Sequence, residues 1–367
     1  MTANTTLPTA DDILKQCTGM YNASHCPNVS QSKGFSDSLP AILDIWYYVH
    51  GLGGTGIALF GLLGNTICIF VLSNKRMRSS TALFLIFLAV CDNLMLLFVI
   101  MLQTFPIICQ HNDVFHSYIF IRESAYQVFY PIVHISHTGT IYTTIVVIAE
   151  RFVAIVKPLK ATAICTRSRA WKIIFVIFVW SILYNIPRCL DNTLRAIPDP
   201  DTNKTTYVTE HSQFGESSFY TSVYLVYLNF LFHFLLPFVT ISVLNILILK
   251  TLQRRKSAIR GRRYRSYSLD EHRLTAMVLA MTVVFFVCQL FGAVQLLFLQ
   301  VNDVRSGRIG DYPLSLEIFN ATAETMVIVN SAFNFILFCV FGRKFRHTFL
   351  KCICTYQERS LIRINTQ

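Results

Sequence analysis

The chain has few charged residues. Asp, Glu, Lys and Arg make up only 14% of its 367 residues, whereas 53% of the residues are hydrophobic and the mean hydropathy is +0.48. Because an ordinary soluble domain is about 25% charged, this composition excludes that class. The apolar residues gather in seven stretches, each near the length of about 20 residues that a membrane-spanning helix needs. We therefore predict an all-α membrane protein, a bundle of seven transmembrane helices.

The predicted domain order follows from these stretches. Residues 1–45 form an N-terminal tail, 46–341 the transmembrane domain, 342–354 a short amphipathic eighth helix, and 355–367 a C-terminal tail. The seven stretches fall near 46–72, 82–104, 125–156, 171–186, 219–249, 274–300 and 314–341. We expect the fourth to end early because Pro187 and Arg188 follow it.

The eighth helix is predicted to lie on the membrane surface and so to contact lipid. Phe345 and Phe349 would share one side of it, with Arg343 on the other, the pattern of an interfacial helix. Thiols on such helices are common acceptors of palmitate. Cys352 and Cys354 are therefore candidate palmitoylation sites, with unmodified thiols as the alternative.

The formal net charge of +12 could suggest a nucleic-acid partner, but the position of the charges argues against one. The bases cluster in alternate connecting segments, such as 75–78 and 254–256, which the positive-inside rule places in the cytoplasm. We therefore predict a multi-pass plasma membrane protein with an extracellular, glycosylated N-terminal tail and a cytoplasmic C-terminus. The predicted glycosylation sites are Asn4, Asn22, Asn28 and Asn203.

Four of the 11 cysteines fall on the outer, oxidising side of this topology. Four thiols allow three pairings that the sequence alone does not rank firmly. We favour a bridge from Cys17 to Cys26 and a second from Cys109 to Cys189.

Asp92 lies in the middle of the second stretch. A carboxylate at that depth is either protonated or balanced by a cation. One interpretation is an allosteric sodium ion held by Asp92 with Thr140, Asn330 and Asn334. The other is a hydrogen-bonded packing network. No further cofactor is expected.

The third stretch ends on Glu150-Arg151-Phe152. Ionisable residues at bilayer depth are costly and by default functional. We expect Glu150 and Arg151 to be each other's partners.

These residues belong to a larger pattern on successive stretches, which resembles the rhodopsin-like (class A) G protein-coupled receptors. Shorter segments are similar to the FMRFamide-type neuropeptide receptors of invertebrates: NKRMRSS at 74–80, ERFVAIVKPLK at 150–160, YNIPR at 184–188 and GRKF at 342–345. The class A pattern consists of Asn65, Leu88 with Asp92, Glu150-Arg151-Phe152, Trp180, Pro237 and Asn330 to Asn334.

The resemblance implies a receptor rather than an enzyme, with a heterotrimeric G protein and arrestin as inner partners. It also implies that Arg151 is held by its neighbouring acid at rest and freed on activation. The activation switch would comprise Glu150, Arg151, Phe152, Asn334 and Phe338.

The chain departs from the family pattern at four places, one of which is Asn245 in place of a frequent tyrosine in the fifth stretch. Tyr126 stands where members usually carry the cysteine of an outer bridge, and Cys288-Gln289-Leu290-Phe291 replaces Cys-Trp-x-Pro in the sixth stretch. The seventh lacks the usual proline and tyrosine after Asn334. The activation route is therefore not given by the resemblance.

Two ligand classes can be excluded or disfavoured. A retinal receptor needs a lysine for its Schiff base, and no lysine occurs between Arg308 and Arg343. Val133 stands where amine receptors carry an aspartate. A peptide ligand remains. The acidic outer face of this chain would attract a cationic peptide.

We predict an amidated FMRFamide-like peptide whose arginine pairs with Glu324, because a guanidinium and a carboxylate form strong directional bonds. Glu123 and Glu317 could do the same, or could be solvated loop charges. The β-prone segment 205–209 could form a strand over the site. The remaining predicted ligand-binding residues are Gln103, Gln127, Tyr130, His134, His137 and Gln289.

Two alternatives to this function are retained. A small multi-span transporter or channel would be expected to show internal repeats, which the two halves of this chain lack. A class A receptor for a non-RFamide ligand shares every motif above. An enzyme is disfavoured because the buried polar residues do not assemble a nucleophile with its base.

Overall fold

The computed structural model describes residues 40–112, 114, 116–198, 205–258, 262–301 and 314–352. The four predicted glycosylation sites lie outside these residues, as do Cys17, Cys26 and Cys354, and so does the side chain of Glu123. Predictions that depend on them stay predictions.

Seven spans run through the described part of the chain. Six helices are each long and apolar enough to cross a membrane, and a seventh span results when two helices bent by 42° are counted together. This confirms the predicted bundle. The bounds are Pro40–Leu72 (helix one), Ser80–His111 (two), His116–Val156 (three), Arg167–Cys189 (four), Phe219–Arg254 (five), Arg262–Val301 (six), and Leu314–Ala332 with Asn334–Phe341 (seven).

Two helices continue past a proline. Helix two runs beyond residue 104 through Pro106; the Leu102 carbonyl, to which Pro106 cannot donate because it has no N–H, accepts a hydrogen bond from Arg122 Nε (3.0 Å) instead. Helix four includes Pro187 and ends at Cys189. The expectation that Pro187 shortens helix four was therefore wrong by about one turn.

The two ends of the bundle differ in their connections. At one end, helices four and five are joined through an antiparallel hairpin of Asn192–Pro198 (β1) and Thr205–His211 (β2), with Asn192 opposite His211. We call this the hairpin end. The predicted strand at 205–209 is thereby confirmed.

The opposite end, which we call the Arg151 end, has short connections with capped helix starts. The Ser79 hydroxyl accepts a hydrogen bond from Ala82 N (3.0 Å) at the start of helix two, and the Thr166 hydroxyl accepts one from Arg169 N (3.4 Å) at the start of helix four. Such caps satisfy amide groups that the helix leaves free. They fix where these spans begin.

The π-helical segments of the described chain all lie toward the hairpin end. They belong to helices one, two and five. A π-helix is wider than an α-helix and is most often found at functional sites. The segments are Trp46–Gly54, Ile100–Thr104, Phe219–Leu228 and Phe230–Leu235.

Helix one packs closely on helix seven through two glycines. A Cβ at Gly61 would lie 2.8 Å from the Ala332 Cβ, and one at Gly64 would lie 2.7 Å from the Phe335 Cβ. A side chain at either position would therefore force helix seven to shift. Below this contact, a large apolar cluster fills the Arg151 end, including Cys68, Leu88, Val147, Met281 and Phe338.

Residues 343–352 form a helix after Gly342, as predicted for the eighth helix. Phe345 is buried and packs on Phe338 with ring centroids 5.8 Å apart. Lys344 and Leu350 are exposed. Contact of this helix with lipid and palmitoylation of its thiols stay predictions; Asn74 Nδ2 lies 3.9 Å from Cys352 Sγ.

Candidate functional site

A cavity of about 180 Å³, partly open to solvent, lies at the hairpin end between helices one, two, three and seven. Of the predicted ligand-binding residues it brings together Gln103 and Glu324. The other lining residues were not predicted from the sequence. They are Trp46, His50, Leu102, Pro106, Ile107, Gln110, Arg122 and Tyr126.

The cavity carries both an acid and a base. Glu324 comes from helix seven and forms a hydrogen bond with Gln295 of helix six. Arg122 comes from helix three, donates from Nε to the Leu102 carbonyl (3.0 Å), and lies over the Tyr126 ring at 5.6 Å from its centroid. A ligand here would meet a carboxylate on one wall and a guanidinium on another.

Glu317 lies beside this cavity rather than in its lining. Its Oε2 accepts a hydrogen bond from Trp46 Nε1 at 3.2 Å, and Trp46 itself lines the cavity. The carboxylate therefore orients an aromatic wall. That contact makes Glu317 more than a solvated loop charge.

Several predicted ligand-binding residues instead join helices to one another. Gln127 donates from Nε2 to the Asn192 carbonyl (3.1 Å), which ties helix three to the hairpin. His137 and Gln289 share a hydrogen bond of 3.2 Å between helices three and six. These residues do not line the cavity as the structure has it.

Tyr130 and His134 are also engaged, with a residue that the sequence analysis did not assign to the site. Arg188 of helix four contacts the Tyr130 hydroxyl and the His134 Nε2 through Nη1, both at 3.2 Å. We treated Arg188 only as a helix terminator. An arginine at the end of an apolar span was the signal that could have identified it.

Asp92 is fully buried between helices two, three and seven. Its Oδ1 accepts a hydrogen bond from Thr140 (2.8 Å) and its Oδ2 one from Asn334 (2.7 Å). Asn330 lines an adjoining cavity of about 10 Å³ together with Thr140 and Asn334. The four predicted sodium ligands thus lie together, and their oxygens are of the kind that hard cations prefer.

At the Arg151 end, the expected pairing of Glu150 with Arg151 was wrong. Glu150 Oε1 accepts a hydrogen bond from the Ser80 hydroxyl, and Arg151 Nη2 donates to the Thr81 hydroxyl (2.6 Å). Consecutive helical residues point about 100° apart, so each reaches a different residue at the start of helix two. The two hydrogen-bond partners, Ser80 and Thr81, are consecutive residues of helix two.

Among the other predicted switch residues, Phe152 packs near this end, Phe338 belongs to the large apolar cluster, and Asn334 contacts Asp92. Phe152 contacts the apolar cluster of Ile155, Ile248 and Leu252 between helices three and five. The Cys165 thiol lies in the connection after helix three, and burial, followed by the Glu150 carboxylate, raises its pKa. This thiol is therefore protonated at neutral pH.

The predicted bridge between Cys109 and Cys189 is not formed, and both thiols are free. Cys109 is buried in the last turn of helix two, whereas Cys189 is exposed at the end of helix four, with Sγ 3.9 Å from the Asn185 carbonyl. The two thiols therefore face different surroundings. Spacing along the chain could not show this.

Helix seven bends without a proline. Its two parts meet at Phe333 at an angle of 42°, and the Phe333 N–H still donates to the Val329 carbonyl (3.0 Å). Asn334, the first residue after the bend, holds Asp92. The missing proline therefore does not mean a straight helix.

Comparison with known proteins places these features in a family. The profile of the 7 transmembrane receptor (rhodopsin family) matches residues 64–340. Similar proteins include the FMRFamide receptor of Drosophila melanogaster (30% identical, 83% of this chain and 54% of that protein), the neuromedin-U receptor 1 of Mus musculus (27%, 81% and 71%) and a GQ-coupled rhodopsin of Mizuhopecten yessoensis (29%, 68% and 48%). The chain thus spans about half the length of the first and the third.

Proposed function

Because the chain belongs to the rhodopsin family of seven-transmembrane receptors, we propose that it is a neuropeptide receptor that signals to a heterotrimeric G protein. We further propose that its ligand is an amidated peptide of the FMRFamide type. The likeness to the Drosophila FMRFamide receptor and the mouse neuromedin-U receptor 1 supports a peptide ligand.

The observation that carries this proposal is the cavity at the hairpin end, with Glu324 in its wall and Gln103 beside it. An Arg-Phe-amide end offers a guanidinium, an aromatic ring and a neutral amide. The guanidinium pairs with Glu324 through two charge-assisted hydrogen bonds. The amide suits Gln103, which both donates and accepts.

The aromatic ring of the ligand has matching partners. Trp46 and Tyr126 line the same cavity, and aromatic pairs add favourable contacts beyond the area that they bury. At about 180 Å³, the cavity is smaller than the sites of drug-sized ligands. It suits the end of a peptide rather than a folded protein.

Ligand binding changes the population of a state that already exists in the receptor. Glu324 belongs to helix seven, and so does Asn334, which contacts Asp92 across the bend at Phe333. A shift of helix seven toward the ligand therefore alters the centre of the bundle. The release of Arg151 from Thr81 would then open the Arg151 end to the G protein.

The opsin among the relatives does not favour retinal for this chain. Helix seven, from Leu314 to Phe341, contains no lysine, so a Schiff base has no amine to form on. The carboxylate in the cavity wall and the similarity to peptide receptors both support a peptide ligand instead.

Further features belong to the same proposal. The hairpin end faces the outside and the Arg151 end the cytoplasm, where arrestin also binds. A sodium ion at Asp92 would be held by the carboxylate with Thr140, Asn330 and Asn334. The hydrogen bonds at Asp92 equally support a packing network without an ion.

The function is tested by nucleotide exchange on purified heterotrimeric G proteins with the receptor in lipid vesicles. The test panel consists of short peptides ending in Arg-Phe-amide, with matched free acids and Lys-Phe-amide variants. We expect exchange to rise with the amidated arginine peptides at the lowest concentrations. Ion flux without exchange would favour the transporter alternative and contradict the proposal.

A further inference from the structure

Arg188 is a buried cation whose guanidinium is not in direct contact with any described carboxylate; the buried Asp191 hydrogen-bonds Tyr220 beside it. It lies in the last turn of helix four and is only 7% exposed. Its Nη1 contacts the Tyr130 hydroxyl and the His134 ring nitrogen, and its guanidinium lies over the Tyr224 ring at 5.7 Å from the centroid. The Nε atom has no partner among the described residues.

No carboxylate of the described residues lies within ion-pair distance of this guanidinium. The nearest acid along the chain, Asp191, pairs instead with His211 Nδ1 at 3.2 Å. A buried charge is normally paired, because neither protein nor lipid replaces its lost hydration. Cation–π contact with tyrosine offsets part of that loss, but an anion would complete the site.

The site lies directly behind the wall of the cavity at the hairpin end. Tyr126 lines the cavity and stacks on Tyr130 with ring centroids 4.9 Å apart. Tyr130 in turn contacts Arg188. A change in the side-chain rotamer of Tyr130 would therefore connect the cavity to the guanidinium.

The surroundings of the guanidinium favour a planar anion. Tyr224 and Tyr220 stack on each other, with centroids 5.3 Å apart, and both come from the π-helical start of helix five, Phe219–Leu228. Tyr224 thus forms one wall of the space around the guanidinium, and Tyr220 supports it. The fork-shaped guanidinium matches a carboxylate in a two-point contact.

We propose that Arg188 binds a carboxylate of the peptide ligand, the side chain of an Asp or Glu that precedes the Arg-Phe-amide end. This inference rests on the proposed function. The ligand then has two charges that are recognised at separate places, its guanidinium at Glu324 and its carboxylate at Arg188. The receptor selects peptides that carry both charges.

The test compares pairs of amidated peptides that differ only by Asp against Asn, with the acid placed in turn at each position before the Arg-Phe-amide end. Nucleotide exchange is measured with the unchanged receptor and with Arg188→Gln. We expect the unchanged receptor to favour one Asp peptide by about 10- to 100-fold, the usual range for a charged hydrogen bond. Arg188→Gln should abolish that preference.

The matched control is Arg195→Gln, which removes an exposed cation from the hairpin. It should leave the preference for the acid intact, because long-range attraction alone is weak at physiological salt. Arg188→Lys retains the charge without the fork and should keep a reduced preference. If Arg188→Gln does not reach the membrane surface, the preference of Arg188→Lys decides the question.

Three results would overturn the inference. The first is an equal loss of potency for both peptides of a pair in Arg188→Gln, which indicates a purely structural role. The second is that the unchanged receptor responds equally to the Asp and Asn peptides, and that both peptides lose potency when gluconate replaces chloride. That result would assign the site to chloride. If no peptide activates the unchanged receptor, the proposed function fails and the inference falls with it.

Discussion

The two ends of the bundle are built differently. At the Arg151 end, large apolar side chains fill the space between regular α-helices, and short capped connections fix the helix starts. At the hairpin end, helices one, two and five contain π-helical segments, and a cavity with a carboxylate in its wall lies between helices one, two, three and seven. The Arg151 end is packed to hold one conformation, whereas the hairpin end has space for a ligand.

The difference shows where binding and signalling can be separated by mutation. Asp92 lies between the two ends, with Thr140 on one side and Asn334 on the other. Changes at the hairpin end should alter ligand affinity first. Changes at the Arg151 end should alter signalling with ligand affinity preserved.

The largest effect is expected at Arg151. Arg151→Ala removes the guanidinium that contacts Thr81 and that we propose to engage the G protein. Loss of one partner of a buried charged contact costs about 2–5 kcal/mol. Peptide-stimulated nucleotide exchange should therefore fall at least about 30-fold, while binding of labelled peptide in the absence of G protein changes little. Equal loss of binding and signalling would break the distinction between the two ends.

Glu324→Gln should act at the hairpin end. It keeps the shape of the side chain but removes the charge from the cavity wall, which should reduce the potency of an Arg-containing peptide about 10- to 100-fold. Glu317→Gln, next to the cavity and bonded to Trp46, is the control and should have the smaller effect. Unchanged potency in Glu324→Gln would remove this residue from the site.

The contact between helices one and seven gives a prediction of stability. Gly64→Ala would place a Cβ 2.7 Å from Phe335, and overpacking of this kind costs about 1–3 kcal/mol. The Tm in detergent should fall by a few degrees. Gly56→Ala, with no atom within 4 Å of the added Cβ, should leave the Tm unchanged or raise it slightly. A fall of equal size in both variants would contradict the packing argument.

The smallest effect is expected at the anchor of Arg151. Thr81→Ala removes the hydroxyl that accepts from Arg151, and a hydrogen bond of this kind contributes about 0.5–1.5 kcal/mol. Nucleotide exchange without ligand should rise roughly 2- to 10-fold. Ser79→Ala, which removes a helix cap instead, should lower expression without raising that basal exchange. If nucleotide exchange without ligand is the same in Thr81→Ala as in the unchanged receptor, this contact does not hold the resting state.

Much of the fold could be predicted from the sequence because long apolar stretches leave few alternatives in a membrane. The predicted end of the second span was off by about two turns and that of the fourth by about one turn, because both helices continue past a proline, Pro106 and Pro187. The bend at Phe333 could not be predicted at all. It depends on packing against helices one and two rather than on a local signal.

The site was predicted less well than the fold. Glu324 and Gln103 do meet in one cavity, but Gln127 joins helix three to the hairpin and His137 joins helix three to helix six. Which face of a helix points to the cavity depends on its rotation, and an apolar span carries little information about rotation. The role of the Arg188 side chain was not predicted, because Arg188 was interpreted only as one of the residues that end helix four.

The coupling of the two ends is tested most directly by measuring peptide affinity with and without a nucleotide-free G protein. By thermodynamic linkage, a G protein bound at the Arg151 end changes the free energy of peptide binding at the hairpin end. The peptide changes the free energy of G protein binding by the same amount. We predict that the G protein lowers the Kd of an activating amidated peptide by about 5- to 150-fold, and that Arg151→Ala abolishes this shift. The same Kd with and without G protein in the unchanged receptor would contradict the account.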